Sequence, residues 1–171
     1  MTDHGLFDIH CHLIPGVDDG AQDLEETRRL LRMEYEQGVR NIIATPHYRD
    51  QMFDTPIHTI RSQFTLVEKC LQEFNQELAK EDRMRIYLGC EFHANMQMSR
   101  MLDEGRVSTM ADSGYVLVEF SGNAEYSYIE DRLRSLIIVG YRPIIAHVER
   151  CDNIWGDLEL IRDLAQMGAY I

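Results

Sequence analysis

A chain of 171 residues, 44% hydrophobic and 27% charged, is long enough for one domain with a sizeable core and short for two. Its net charge of −12, from 29 acidic and 17 basic residues, disfavours nucleic acid, whose phosphates need a positive surface, and suits divalent cations. No apolar run approaches a membrane span, no leader pattern opens the chain, and Cys11, Cys70, Cys90 and Cys151 form no Cys-x-x-Cys pair; a cytoplasmic protein without membrane insertion, zinc knuckle or disulfide framework is expected.

Phe7-Asp8-Ile9-His10-Cys11-His12 reads as the opening strand. Strict alternation sends Asp8, His10 and His12 to one face and Phe7, Ile9 and Cys11 to a packed face behind. Two imidazoles on one strand are a pre-arranged ligand pair for a borderline divalent ion. The alternative is a half-exposed strand whose histidines only hydrogen-bond. Residues 15–20 read as a loop carrying Asp18 and Asp19. Asp23 with Glu26 predicts a capped helix with Leu24, Leu31 and Tyr35 on one face, stopped at Gly38. Residues 41–46 form an apolar second strand followed at once by His47.

Thr55-Pro56 predicts a helix with proline at its first position. Its stripe of Ile57, Ile60, Phe64, Val67, Leu71, Phe74 and Leu78 is core. A third strand over 85–90 ends at Glu91, and a short helix is expected within 95–104. A fourth strand over 115–118 ends at Glu119. A helix over 126–139 leads to a fifth strand over 143–146 that ends at His147. A further helix over 157–167 precedes residues 168–171, the beginning of a sixth strand. Alternating strands and helices predict an α/β architecture with a mainly parallel sheet.

Five successive strands thus finish at or beside His10/His12, His47, Glu91, Glu119 and His147. In a (β/α) barrel such ends converge on one mouth. Six ligands exceed what one catalytic zinc takes and suit two or three ions that activate water and clamp a phosphoester or an amide. Arg49 and Arg150, two and three residues past a histidine, tip the choice toward phosphate; a surface ion pair is the alternative for each. No Cys-x5-Arg loop, Walker loop or dinucleotide fingerprint is present. His93 shares the parity of Glu91 but is more simply a packed or solvated ring, and His4 and His58 are expected at the surface.

The opening motif from Asp8 to Ala21, Thr45-Pro46-His47, Gly89-Cys90-Glu91, Val118-Glu119-Phe120 and Ala146-His147-Val148-Glu149-Arg150 resemble the PHP superfamily. Within it they are similar to the CpsB/CapC/YwqE-type tyrosine phosphatases of capsule and exopolysaccharide loci. The resemblance implies a distorted (β/α)7 barrel, here truncated after about five strands, as a single domain over 1–171. It implies a centre of two or three divalent ions, Mn2+ favoured, held by His10, His12, His47, Glu91, Glu119 and His147, with Glu91 bridging. Arg150 matches a phosphate-binding catalytic arginine, and Asp8 would orient a ligand histidine. The implied reaction is hydrolysis of phosphotyrosine on the tail of a membrane-associated tyrosine kinase, whose company would recruit the protein to the membrane. Family members continue to an Asp-x-His ligand pair and another arginine that have no counterpart here, so a fragment or truncated product is expected. The alternatives are a non-catalytic remnant that binds the kinase as a regulatory module, and another PHP phosphoesterase chemistry.

Overall fold

A computed structural model describes residues 5–171; the expectation for His4 lies outside them. The fold is mixed α/β with parallel sheets, and the chain divides into two compact units, one ending at Gly89 and the other running from Cys90 to Ile171.

The first unit holds β1 (Leu6–Cys11), α1 (Leu24–Glu36), β2 (Val39–Ala44), β3 (His47–Tyr48), α2 (Ile57–Gln76) and β4 (Arg85–Leu88). Its sheet has the order β1-β2-β4, all parallel. Helix α1 starts where Asp23 accepts a 2.8 Å bond from the Glu26 N–H, and Glu26 reaches back to the Gln22 N–H at 2.9 Å. Gly38, at φ 90, turns the chain into β2. Pro56 precedes α2 in extended conformation rather than occupying its first position, so Ile57 opens the helix. Leu31, Ile42, Val67 and Leu71 form the core between helices and sheet, joined by Leu13 and Ile14 from the loop after β1. His58 is exposed, as expected.

Of the three residues expected on the packed face behind the first strand, only Cys11 packs. Phe7 is 65% and Ile9 42% exposed, while Cys11 packs against the core. The register explains this. Asp8 pairs with Ile42 and Cys11 with Ala44, three residues against two, so a bulge interrupts the alternation and brings Cys11 to the face of Ile42 and Ala44. Phe7 lies in a row with Asn41 and Arg85 on the opposite face, away from the side on which Ile42, Ile86 and Leu88 meet α1 and α2.

The second unit holds β5 (Glu91–His93), α3 (Met98–Asp103), β6 (Tyr115–Glu119), α4 (Tyr126–Ile138), β7 (Arg142–Ile145) and α5 (Leu158–Met167). Its strands β5, β6 and β7 are parallel neighbours in that order. Val116, Leu117 and Val118 are buried in succession, as a strand covered on both faces requires. Helix α4 buries Ile129, Leu133 and Leu136 completely. Asp157 caps α5 by accepting from the Glu159 and Leu160 N–H groups.

The single strand expected over 85–90 is two, β4 and β5, separated by Gly89 and Cys90, so Glu91 begins a strand instead of ending one. The expected sixth strand is an isolated parallel bridge, with Tyr170 exchanging 2.8 Å bonds with Pro143 and Ile145 beside β7.

Candidate functional site

In the first unit the loop after β1 folds back over its histidines. Asp18 is the pivot of that loop: its side chain is fully buried and accepts from three directions. One oxygen meets His12 Nδ1 and the His47 N–H, each at 2.9 Å, and the other takes the Gly20 N–H at 3.0 Å. Burial works to raise its pKa, but the His12 ring and the two backbone donors outweigh it, and the carboxyl sits below the ordinary aspartate range. The rings of His10 and His12 lie 5.4 Å apart and those of His12 and His47 4.4 Å apart. Asp19 stands 3.6 Å from His47 Nε2. Phe53 stacks on the His47 ring at 5.1 Å.

Gly20 permits this fold-back. A Cβ there would come within 2.2 Å of the His12 carbonyl oxygen, the same oxygen that accepts from Ala21 at 2.9 Å. Arg49 is half-buried at the start of a tight turn in which it and Phe53 exchange two 2.9 Å backbone bonds. Asp8 accepts a 2.9 Å bond from the His10 backbone N–H. Its carboxylate therefore braces the strand that carries the two histidines.

In the second unit Glu91, Glu119 and His147 come together. His147 Nε2 is 2.7 Å from Glu91 Oε1 and 3.6 Å from Glu119 Oε1. Glu91 is 1% exposed, and a carboxylate at that depth needs a cationic or hydrogen-bonding partner. His147 adopts a left-handed conformation, φ 32 and ψ 57, uncommon for a residue with a side chain and typical of strained functional positions. A 3-10 turn, Val148–Arg150, follows it and ends at the exposed Arg150. His93 meets the Ser121 hydroxyl at 3.1 Å.

Each unit thus carries a donor set of the kind that holds divalent ions: three neighbouring imidazoles with acidic residues in one, an imidazole and two carboxylates in the other. His12, Asp18 and Asp19 offer ligand atoms within 4.8 Å of one another. The set fits a metal chemically, since imidazole with carboxylate suits zinc, iron or manganese, and Asp18 holds the His12 ring as a carboxylate commonly holds a ligating imidazole. Asp18 is the residue the sequence reading passed over. Its signal was an Asp-Asp-Gly directly after a His-x-His strand, but strand parity pointed to Asp8.

The Cys11 and Cys151 thiols are poorly placed for nucleophilic chemistry. Burial first, then Asp8 and Glu34, push the Cys11 thiol well up; burial, then Glu149, Asp152 and Glu119, raise that of Cys151. Neither environment makes a thiolate nucleophile.

An α/β fold with clustered histidines and acids at strand ends defines a class of candidate metallohydrolases. The chain belongs to the CpsB/CapC family of capsular polysaccharide synthesis, whose model matches residues 6–171. It is 36% identical over 167 residues to the tyrosine-protein phosphatase CpsB of Streptococcus pneumoniae, covering 96% of this chain and 65% of that protein. It is 31% identical over 165 residues to the tyrosine-protein phosphatase YwqE of Bacillus subtilis, covering 96% and 62%. Crystallography of YwqE and of pneumococcal CpsB, described as unique metal-dependent tyrosine phosphatases, supplies a chain similar to this one. The TM-score is 0.83 at 29% identity, over 96% of this chain and 64% of that one. The chain therefore spans just under two thirds of the length of these relatives. Among the described residues, no helix is long and apolar enough to cross a membrane.

Proposed function

We propose that the chain carries the chemistry of a manganese-dependent protein-tyrosine phosphatase acting in capsule or exopolysaccharide synthesis. The observation that carries this reading is the buried Glu91, with Glu119 beside it, 2.7 Å from His147, the residue that immediately precedes the Arg150 turn. The relatives that are named tyrosine phosphatases support it. On this reading His10, His12 and His47 in one unit, and Glu91, Glu119 and His147 in the other, hold two or three divalent ions. Residues 1–171 then belong to one PHP-type domain, a distorted (β/α)7 barrel in its family form; a single family model running through both units supports that. The substrate we infer is the phosphotyrosine tail of a membrane-associated kinase, met at the cytoplasmic face.

Divalent ions held by these residues supply Lewis-acid charge, which lowers the pKa of water and offsets charge on phosphoryl oxygens. The chain's own residues do the rest. Asp18 fixes the His12 ring by its Nδ1 and so sets which nitrogen is left to ligate. Glu91 brings negative charge to a buried position beside His147. Arg150 grips phosphate oxygens with its planar fork, and Arg49 in the first unit is a further guanidinium of the same chemistry.

The test is hydrolysis of a phosphotyrosyl peptide, a phosphoseryl peptide and small phosphate monoesters by the purified chain with manganese. Preference for the phosphotyrosyl peptide is expected. Binding of the kinase tail without turnover would favour a regulatory module instead, and preference for a small monoester another phosphoesterase.

A further inference from the structure

We propose that Gly122 and Asn153 position Arg150, by fastening the turn after β7 to the loop after β6. The inference rests on the reading of Arg150 as the phosphate-gripping residue.

Arg150 is exposed, so its own side chain packs little, and its aim depends on the backbone beneath it. On the upstream side its N–H donates to the His147 carbonyl at 2.9 Å, tying it to the left-handed residue beside Glu91 and Glu119. On the downstream side the Asp152 N–H donates to the Gly122 carbonyl at 2.8 Å, and Asn153 Nδ2 donates to the carbonyls of Ala124 at 3.0 Å and Asn123 at 3.3 Å. Cys151 and Ile154, both fully buried, peg the segment from below. Between these ties the two loops touch: a Cβ on Gly122 would lie 3.0 Å from the Arg150 carbonyl oxygen. The loop after β6 is itself anchored, since Ser121 meets His93, two residues from Glu91 on β5. A continuous path of contacts therefore runs from the strand that carries Glu91 to the backbone of Arg150.

Such a path matters because gripping a phosphoryl group depends on geometry. A displacement of about 1 Å in a reacting or clamping group costs about a hundredfold in rate. An arginine on an untethered turn would have to be ordered by each substrate; here the turn is ordered beforehand by contacts that never reach the phosphate. Gly122 and Asn153 are positioning residues on this account.

The experiment uses the 171-residue chain loaded with manganese and titrates inorganic phosphate calorimetrically, measuring manganese affinity separately. Arg150→Ala is expected to weaken phosphate binding about tenfold to a hundredfold, the loss of one charged hydrogen-bonding group. Gly122→Ala, which only presses on the Arg150 carbonyl, and Asn153→Ala, which removes the donor without adding charge, are each expected to weaken it about threefold to tenfold, with manganese affinity unchanged. In an Arg150→Ala background neither should have a further effect, because residues that act through the same group are not additive. Full effects in that background, wild-type phosphate affinity in both single variants, or a parallel loss of manganese affinity would each overturn the proposal. If Arg150→Ala itself binds phosphate normally, the reading beneath it fails, and that outcome is distinct from the other three.

Discussion

Asp18 gathers three contacts on one buried side chain. It is acceptor to a ring nitrogen and two backbone N–H groups, and it ties His12, Gly20 and His47 to one buried carboxylate. Asp18→Asn keeps the shape but removes the charge and replaces one acceptor with a donor. Manganese affinity is expected to fall about tenfold to a hundredfold, and stability by about 1–3 kcal/mol; metal titration and denaturant unfolding check the two. Gly20 is the steric counterpart. With a Cβ only 2.2 Å from the His12 carbonyl oxygen, Gly20→Ala must move backbone, and a loss of about 2–4 kcal/mol is expected in the same unfolding assay. A melt indistinguishable from wild type would mean that the loop has room the geometry denies.

At the scale of elements, stability comes from caps and buried stripes. Asp23→Ala removes the acceptor at the start of α1 and should cost about 1 kcal/mol. Leu133→Ala, from a fully buried position on α4, should cost about 2–5 kcal/mol. Thermal or denaturant unfolding of both variants would expose an error in either assignment. These same elements were readable from sequence, because capping residues and 3.6-residue periodicity are local signals: α1, α2, α4 and α5 lie within a residue or two of where the pattern put them, apart from the last residues of the α2 stripe. What was not readable depends on partners distant in the chain. The bulge in β1 is a mismatch against β2, so alternation alone grouped the exposed Phe7 and Ile9 with Cys11 on one packed face. The break at Gly89 and Cys90 appears only because β4 pairs with β2 while β5 pairs with β6. Asp18 reaches His12 and His47 through a loop that returns over the strand, and periodicity carries no record of a return. The histidine and glutamate series was legible because its members sit within a strand or within two residues of one, where the pattern is strongest.

For the whole molecule, hydrolysis should depend on metal and not on the thiols. A chelator should abolish phosphotyrosine turnover and manganese restore it, while alkylation of the cysteines should leave the rate largely intact. Inactivation by alkylation with fold and metal retained would contradict this. The ligands and the phosphate clamp should also separate. Glu91→Gln should lower metal content, because a neutral amide is a poor ligand at a buried position. Arg150→Ala should keep its metal and lose turnover. The most direct measurement is manganese bound per chain at saturation, by elemental analysis after gel filtration, in the wild type and in Glu91→Gln. Two or three ions per wild-type chain are expected, and fewer in the variant. Fewer than two ions in the wild type, or an equal number in Glu91→Gln, would contradict this.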